Sequence, residues 1–288
     1  MPVCRRGPIS KLSPDSAALA SLAVPVLHGA NGGAMRSIDL NSDLGEGFGP
    51  WSMGDDTTML GLVTSANIAC GGHASDPETM FATLRLAAQN GVTVGAHPGY
   101  ADREGFGRRI IPMTPAEITR MVAAQIGTLM GLAALAGTKV AYVKAHGALA
   151  NHAAETPAVA QAIVAALRAI SPDLALLAIS GTCQEQAARA AGCPVFSEIF
   201  ADRGYLSTGR LVPRNRPDAM IVDAKVATMR LLEFIDKGLM PVVDGAPIAL
   251  DAHSICIHGD SPHAVAMAQE IRARLTAEGI SLAPFLRV

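Results

Sequence analysis

Short apolar runs recur along the chain, and each one ends in a group of polar residues and glycines before a helical pattern begins. The first run, Asp39–Asp43, leads through Glu46 and nearby glycines to a helix predicted over Asp55–Thr64. About seven such units follow one another from Met35 onward, and most of their strands are continuously apolar. Strands of this kind that alternate with helices are typical of a parallel sheet with helices outside it.

Seven units within one domain favour a closed or nearly closed barrel over an open doubly wound sheet, although the periodicity alone fits both. In both folds ligands bind at the carboxyl ends of the strands, where the polar residues of this chain collect. We therefore predict an α/β fold, a seven-stranded (β/α) barrel over residues 36–288. The predicted strands are Asp39–Asp43, Ala66–Cys70, Val92–Ala96, Val140–Val143, Leu174–Ile179, Val195–Phe200 and Ser254–Ile257.

Capping signals predict where two of the helices begin. Ser75 and Glu78 are spaced as a capping box, and Thr114 and Glu117 repeat that spacing further along the chain. A proline stands at the first helical position in both segments, where its missing N–H costs no hydrogen bond.

Residues 1–35 lack the repeating pattern. They contain Arg5-Arg6, several Pro and Ser residues, and only a weak apolar run over Ala17–Leu27. That run has no clear cleavage site and is unlike a signal peptide. The segment is predicted to be a disordered leader or an upstream extension of a protein that starts at Met35, and we favour the second interpretation.

Composition and charge limit the kinds of molecule that this protein is expected to bind. The 288 residues include 23 basic and 25 acidic ones, so the chain lacks the excess of positive charge that is typical of proteins that bind nucleic acid or an anionic membrane. Gly, Ser or charged residues interrupt the apolar stretches before they reach a membrane-spanning length. The five cysteines are scattered and form no CxxC pair or disulfide framework. We predict a soluble, cytoplasmic protein with a small-molecule substrate.

Acids and histidines stand at the first three strand ends. Asp43 and Glu46 follow the first strand, where acids beside glycine often only cap a turn. His73 follows the second strand and His97 the third. Their recurrence favours a catalytic site, with Asp43 as a general base or a metal ligand.

The fourth strand end carries a lysine. Lys144 and His146 alternate there, so their side chains point the same way. A buried lysine requires an anionic partner, which suggests a carboxylate or phosphate in the ligand. Gly71 and Gly72, in the turn before His73, would let backbone N–H groups approach such a ligand.

Further polar groups lie within or just after the sixth and seventh strands. Glu198, Asp202 and Arg203 form one group, in which Asp202 and Arg203 could also be a plain surface ion pair. His258 and Asp260 form a second group, and Asp260 could instead cap the last helix. We predict that these five residues bind the substrate or its phosphate.

Several familiar motifs are missing. The chain has no P-loop, no G-x-S-x-G elbow and no Rossmann glycine motif. Its histidines lack HExxH spacing, so the sequence alone assigns no metal site. A site of Asp43, His73 and His97 from three different strands is possible, and the need for a metal stays open.

Seven motifs, in order from about Ile38 to the C-terminus, resemble the LamB/YcsF family, the A subunit of bacterial ATP-dependent 5-oxoprolinase. Three positions depart from the family pattern and affect the shape of the pocket rim: Gly72, Ala145 and Ala150. The motifs are Asp39-Leu-Asn-Ser-Asp-Leu-Gly-Glu46, Asn67-Ile-Ala-Cys-Gly-Gly-His73, Gly95-Ala-His-Pro98, Gly105-Phe-Gly-Arg-Arg109, Val143-Lys-Ala-His-Gly-Ala-Leu149, Glu198-Ile-Phe-Ala-Asp-Arg203 and Ile257-His-Gly-Asp260.

The resemblance implies a (β/α) barrel of the glycoside hydrolase/deacetylase type. It also implies opening of the lactam of 5-oxo-L-proline to L-glutamate, with ATP as co-substrate together with Mg²⁺, and with B and C subunits as partners. The predicted catalytic residues are Asp43, Glu46, His73, His97, Lys144 and His146.

Two other functions stay open. A stand-alone metal-dependent deacetylase or amidohydrolase would use the same Asp and His residues, and it would need no ATP. A binding subunit without chemistry of its own would tolerate the loss of the Asp43 carboxylate.

Overall fold

The computed structural model describes residues 37–286, and the prediction for residues 1–35 lies outside that range. The strands among these residues are β1 (Ser37–Leu44), β2 (Ser65–Ala69), β3 (Thr93–His97), β4 (Val140–Val143), β5 (Ala175–Ile179), β6 (Val195–Phe200), β7 (Leu239–Met240), β8 (Ile248–Ala249), β9 (Ser254–His258) and β10 (Ser281–Leu282). Strands β1 to β6 and β9 follow one another in parallel, and β9 also pairs with β1. These seven strands therefore form the closed barrel that we predicted, while β7 and β8 form a small antiparallel pair.

Helices surround the barrel and connect its strands. One of them, Gly147–Glu155, is not predicted by the sequence pattern, because its many small residues give no clear apolar period. The helices among the described residues are α1 (Asp56–Leu60), α2 (Pro77–Gln89), α3 (Pro115–Leu135), α4 (Gly147–Glu155), α5 (Pro157–Ile170), α6 (Cys183–Ala190), α7 (Ala224–Lys237) and α8 (Ala264–Ala277).

The two predicted capping boxes have different outcomes. Thr114 accepts a hydrogen bond from the Glu117 N–H at 3.3 Å, and Glu117 accepts one from the Thr114 N–H at 2.7 Å. That box is confirmed. The box at Ser75 is wrong, because Asp76 caps α2 and accepts from the Thr79 N–H at 2.9 Å. Ser75 instead has a φ of 77°, and its buried hydroxyl has no hydrogen-bond partner.

By length and composition, α3 could span a membrane. Its residues Ile118, Val122 and Ile126 are buried and recur every four positions. The opposite face is exposed, and α3 packs against α5 and the outside of the barrel. This pattern is typical of an amphipathic helix around a globular core.

The inside of the barrel is polar along β1. Asp39, Asn41 and Asp43 are two residues apart, so all three side chains point to the same face of the strand. Asn67 Nδ2 donates to Asn41 Oδ1 at 2.7 Å and to Asp43 Oδ1 at 2.8 Å. Tyr142 Oη donates to Asn67 Oδ1 at 2.7 Å. This buried hydrogen-bond network holds the Asp43 carboxylate at the barrel mouth.

Replacing Gly95 with Ala is expected to lower the free energy of unfolding by about 1–3 kcal/mol, because overpacking strains a dense core. A Cβ at Gly95 would lie 2.2 Å from Cε2 of Tyr142 inside the barrel. Chemical denaturation measures the effect. The matched control is Gly127→Ala on the exposed side of α3, where a Cβ meets nothing within 4 Å. The control should stabilise the helix by about 1 kcal/mol, and equal effects of both substitutions would contradict the packing argument.

Candidate active site

A cavity of about 360 Å³ opens at the carboxyl ends of the barrel strands. Acidic, basic and imidazole groups from five strand ends reach it, as expected for a (β/α) barrel. Four arginines from the connecting loops line its walls. The charged and imidazole residues at the strand ends are Asp43, His97, Lys144, Glu198 and His258, and the arginines are Arg108, Arg203, Arg210 and Arg214.

Lys144 is a buried cation at the floor of this site. Its Nζ donates to Asp43 Oδ1 at 2.9 Å, to Cys256 Sγ at 3.0 Å and to Asn41 Oδ1 at 3.3 Å. Burial by itself lowers the pKa of Lys144, but Asp43 and the other neighbours together raise this pKa well above its ordinary value. Burial raises the pKa of Asp43, yet His97 and Lys144 hold it well below its usual range. The pair is therefore ionised.

Glu198 is the second acid beside Lys144. Its Oε2 lies 3.1 Å from Lys144 Nζ. The ammonium nevertheless directs its hydrogen bonds to Asp43, Cys256 and Asn41, and Glu198 Oε2 is left without a hydrogen-bond partner. Burial raises the pKa of Glu198 to about 7, an effect that the charge of Lys144 partly opposes. An acid with this pKa, open to a cavity, can exchange protons near neutral pH.

Glu46 and three histidines form a compact group beside Asp43. His97 Nε2 lies 3.1 Å from His146 Nδ1, and His73 Nε2 lies 3.0 Å from Glu46 Oε1. Burial, together with the charge of Asp43, raises the pKa of Glu46 to about 8. Burial is also the main cause that lowers the pKa of His73 and of His146 well below the ordinary value.

This group could hold a metal ion, because one ligand atom from each of its four members lies within 4.8 Å of the others. The grouping differs from the predicted set of Asp43, His73 and His97. Glu46 and His146 join His73 and His97, whereas Asp43 falls into a second group with Cys256 and His258.

His258 is held by hydrogen bonds on both ring nitrogens. Its Nδ1 lies 2.8 Å from Asp202 Oδ2, and Arg214 Nη2 lies 3.3 Å from its Nε2. Because an arginine can only donate, Nε2 is the acceptor and Nδ1 carries the hydrogen. Asp202 therefore orients an imidazole that faces the cavity.

Two of the simpler interpretations are wrong. Asp202 and Arg203 are not a surface ion pair, since both are buried and Arg203 donates to the carbonyl oxygens of Val212 at 2.7 Å and Ala219 at 3.2 Å. Asp260 does not cap the last helix. It pairs instead with Arg108, which reaches across the mouth of the cavity.

Gly71 and Gly72 lie in the turn that carries His73, outside the cavity lining. The Gly71 N–H donates to the Ala74 carbonyl oxygen at 3.0 Å. A Cβ at Gly72 would lie 2.5 Å from Oε1 of Gln125. Gly71 therefore uses its N–H within the turn around His73 and does not present it to a ligand as predicted, and the absence of a side chain at Gly72 leaves room for Gln125.

Sequence reasoning missed several residues of the site. Asn41 and Asn67 hold the Asp43 carboxylate and the Lys144 ammonium, and the alternation of polar residues along β1 is the signal that could have identified Asn41. Arg108 and Arg214 line the cavity from loops. Arg108 lies in the motif that ends at Arg109, but the motif gives it no role. No local pattern marks Arg214, because its position depends on how the loop folds over the barrel mouth.

Comparisons with known proteins agree with this architecture. Residues 38–288 match the LamB/YcsF family. The A subunit of 5-oxoprolinase from Rhodopseudomonas palustris is 49% identical over 249 residues, covering 86% of this chain and 98% of that protein. The A subunit of 5-oxoprolinase from Paracidovorax citrulli is 50% identical over 248 residues, covering 86% of this chain and 99% of that protein.

Solved structures give the same result for the fold. The crystal structure of a lactam utilization protein from Thermus thermophilus superposes with a TM-score of 0.82 at 39% identity, covering 86% of this chain and 100% of that one. A putative cellobiose-phosphate cleavage protein from Enterococcus faecalis shares the fold alone, with a TM-score of 0.53 at 12% identity over 88% of this chain and 98% of that one.

Proposed function

Because this chain belongs to the LamB/YcsF family, we propose that it is the A subunit of a 5-oxoprolinase. The reaction is the opening of the lactam of 5-oxo-L-proline to L-glutamate, coupled to the hydrolysis of ATP. Support comes from relatives that match over nearly their whole length and are named as the A subunit of 5-oxoprolinase.

The observation that carries the proposal is the buried Lys144 between two carboxylates, at the floor of a cavity walled by arginines. Such a cavity suits a small anionic ligand that also contains a polar, uncharged amide. The arginines would bind the substrate carboxylate as charge-assisted hydrogen-bond donors. Lys144 would stabilise the negative charge that develops on the oxygens at the reacting carbon.

An amide resists attack by water, so coupling to ATP supplies the driving force. Transfer of the terminal phosphoryl group of ATP to the lactam oxygen makes the ring carbon electrophilic. A first water adds to that carbon, and the C–N bond breaks as the nitrogen takes up a proton. A second water hydrolyses the resulting acyl phosphate and releases phosphate. Glu198 is proposed to accept the proton of the attacking water and to pass it to the leaving nitrogen.

ATP is proposed as a co-substrate with Mg²⁺, and two further subunits, B and C, are proposed as partners. The relatives are named as A subunits, which supports an assembly with other chains. Since the chain has no P-loop, its site would act on an activated lactam whichever chain of the assembly holds the nucleotide.

The test measures glutamate released from 5-oxoproline, with and without ATP, by this chain alone and together with the B and C subunits. Glutamate release that requires ATP and all three chains supports the proposal. Release without ATP would overturn it in favour of a second candidate, a metal-dependent amide hydrolase. The group of Glu46 and three histidines favours that alternative, because it could hold a catalytic cation.

Replacing Arg214 with Gln is expected to raise KM for 5-oxoproline about 10-fold or more with little change in kcat, because a charged hydrogen bond contributes about 1.5–3 kcal/mol. Arg214 is solvent-exposed at the cavity mouth, where partial desolvation and the like charge of Arg108 both lower its pKa. The measurement is steady-state kinetics of the assembled enzyme. The matched control is Arg216→Gln, an exposed residue paired with Asp218, and an equal rise in KM for both variants would contradict the assignment.

A further inference from the structure

We propose that Glu46, His97 and His146 bind a divalent transition-metal cation beside the active-site cavity, and that His73 orients Glu46 for this task. The inference goes beyond the proposed function and does not depend on it. It arises from the hydrogen-bond directions within the group rather than from the nature of the substrate.

Backbone carbonyl groups determine the tautomers of two histidines. His97 Nδ1 lies 2.8 Å from the Lys144 carbonyl oxygen, and His146 Nε2 lies 2.8 Å from the Phe106 carbonyl oxygen. A carbonyl oxygen only accepts, so both of these ring nitrogens carry a hydrogen. In the neutral rings, His97 Nε2 and His146 Nδ1 therefore present lone pairs.

Those two lone pairs face each other across 3.1 Å. Lone pairs at this distance repel unless a cation, either a proton or a metal ion, is shared between them. A carboxylate oxygen lies beside them as well, because Glu46 Oε1 is 3.5 Å from His146 Nδ1. Three electron-pair donors thus converge, and the side chains that carry them are all buried.

The spacing suits a metal better than a proton. A tetrahedral site with metal–nitrogen bonds of about 2.1 Å has edges of about 3.4 Å between its ligand atoms. The observed separations of 3.1 Å and 3.5 Å lie on either side of that value. A single proton would link the two histidines and leave the Glu46 oxygen outside the hydrogen bond.

The groups that hydrogen-bond to these three side chains resemble those that hydrogen-bond to the ligands of known metal sites. Histidine ligands usually donate their second N–H to a carbonyl group, as His97 and His146 do here. Ligand carboxylates are usually hydrogen-bonded in turn, and His73 Nε2 lies 3.0 Å from Glu46 Oε1. The His73 and His146 rings are stacked in parallel, with their centroids 3.6 Å apart. Because a ring nitrogen's lone pair lies in the plane of its ring, the lone pairs of two parallel rings cannot converge on one ion. This geometry assigns His73 to positioning.

Two imidazoles and one carboxylate favour Zn²⁺ or a similar first-row ion over Mg²⁺ and Ca²⁺, which prefer oxygen ligands. The rings are also held in place from the loop side. A Cβ at Gly107 would lie 2.6 Å from Cβ of His73 and 2.8 Å from Cδ2 of His146. Close packing of this kind keeps the donors in position before an ion arrives.

The test uses the full chain, stripped with a chelator and titrated with Zn²⁺ alone by calorimetry. One equivalent is expected to bind, and affinity is expected to fall more than about 100-fold in Glu46→Gln and in His146→Gln. The matched control, His152→Gln, should keep the wild-type affinity, since His152 contacts Tyr100 outside this group. Failure of the wild-type chain to bind, or equal binding by all variants, would overturn the proposal.

A second measurement avoids reliance on variants that fold poorly. Co²⁺ added to the stripped wild-type chain should give the intense visible absorption of a low-coordinate site with nitrogen ligands, and its absence would overturn the proposal. Neither measurement involves substrate, ATP or partner subunits. A chain that binds Zn²⁺ but forms no glutamate would therefore overturn the proposed function alone, and the reverse result would overturn only the metal site.

Discussion

Replacing Lys144 with Met is expected to abolish glutamate formation and to lower the free energy of unfolding by about 3–5 kcal/mol, the usual cost of removing one partner of a buried ion pair. The Nζ of Lys144 lies 2.9 Å from Asp43 Oδ1 and 3.1 Å from Glu198 Oε2. Without the ammonium, two buried carboxylates would face each other with no cation between them. Assays of the assembled enzyme and chemical denaturation measure the two effects.

The control for this substitution is Lys139→Met. Lys139 is exposed and immediately precedes the same strand, β4, so the chemical change is identical but no buried carboxylate loses its partner. It should retain activity and stability within about 0.5 kcal/mol. The destabilisation by Lys144→Met should also shrink at acid pH, where the carboxylates can take up protons. A Lys144→Met enzyme with normal turnover would contradict the proposed role of the lysine.

Replacing Glu198 with Gln is expected to reduce kcat by about 10²–10⁴-fold, the usual contribution of a general acid–base group. Glutamine has nearly the same shape, but it cannot take a proton from water or return one to the leaving nitrogen. The variant should therefore fold and bind 5-oxoproline. Single-turnover assays of the assembled enzyme separate this loss from a change in substrate binding.

The same substitution is expected to raise the stability of the folded chain, by an amount that depends on pH. Burial raises the pKa of Glu198 to about 7 from 4.5, so the folded chain keeps a proton that the unfolded chain has already lost. Wild-type stability therefore falls as the pH rises from about 4.5 to about 7. Glu198→Gln removes this penalty and should be more stable than the wild type at pH 8, on the order of 3 kcal/mol, with little difference near pH 4.5.

Glu185→Gln is the matched control for both effects. Glu185 is buried outside the cavity, and burial raises its pKa too. Its substitution should change the pH dependence of unfolding and leave turnover intact. Thermal unfolding across pH, recorded beside the kinetic assays, checks both statements. Full activity of Glu198→Gln, or a loss of activity in both variants, would contradict a specific role for Glu198 in proton transfer.

Much of the site was visible in the sequence as residue types at strand ends. Asp43, His97, Lys144 and Glu198 all reach the cavity, as their positions toward or just after the ends of apolar strands suggested. The metal ligands that we propose, in contrast, differ from the predicted set, because Glu46 and His146 take the places of Asp43 and His73. Sequence spacing does not distinguish the two sets, because the choice depends on which donor atoms face one another in the folded protein.

The sequence by itself determined the seven barrel strands and every described helix except α4, because burial of apolar residues imposes a local period on most elements. The tertiary structure decided which polar groups meet. Lys144 and Asp43 are 101 residues apart in the chain, and they become neighbours only because the strands close into a barrel through the pairing of β1 with β9. That closure also buries the acids and moves their pKa values, since desolvation depends on everything packed around a group and not on its neighbours in sequence.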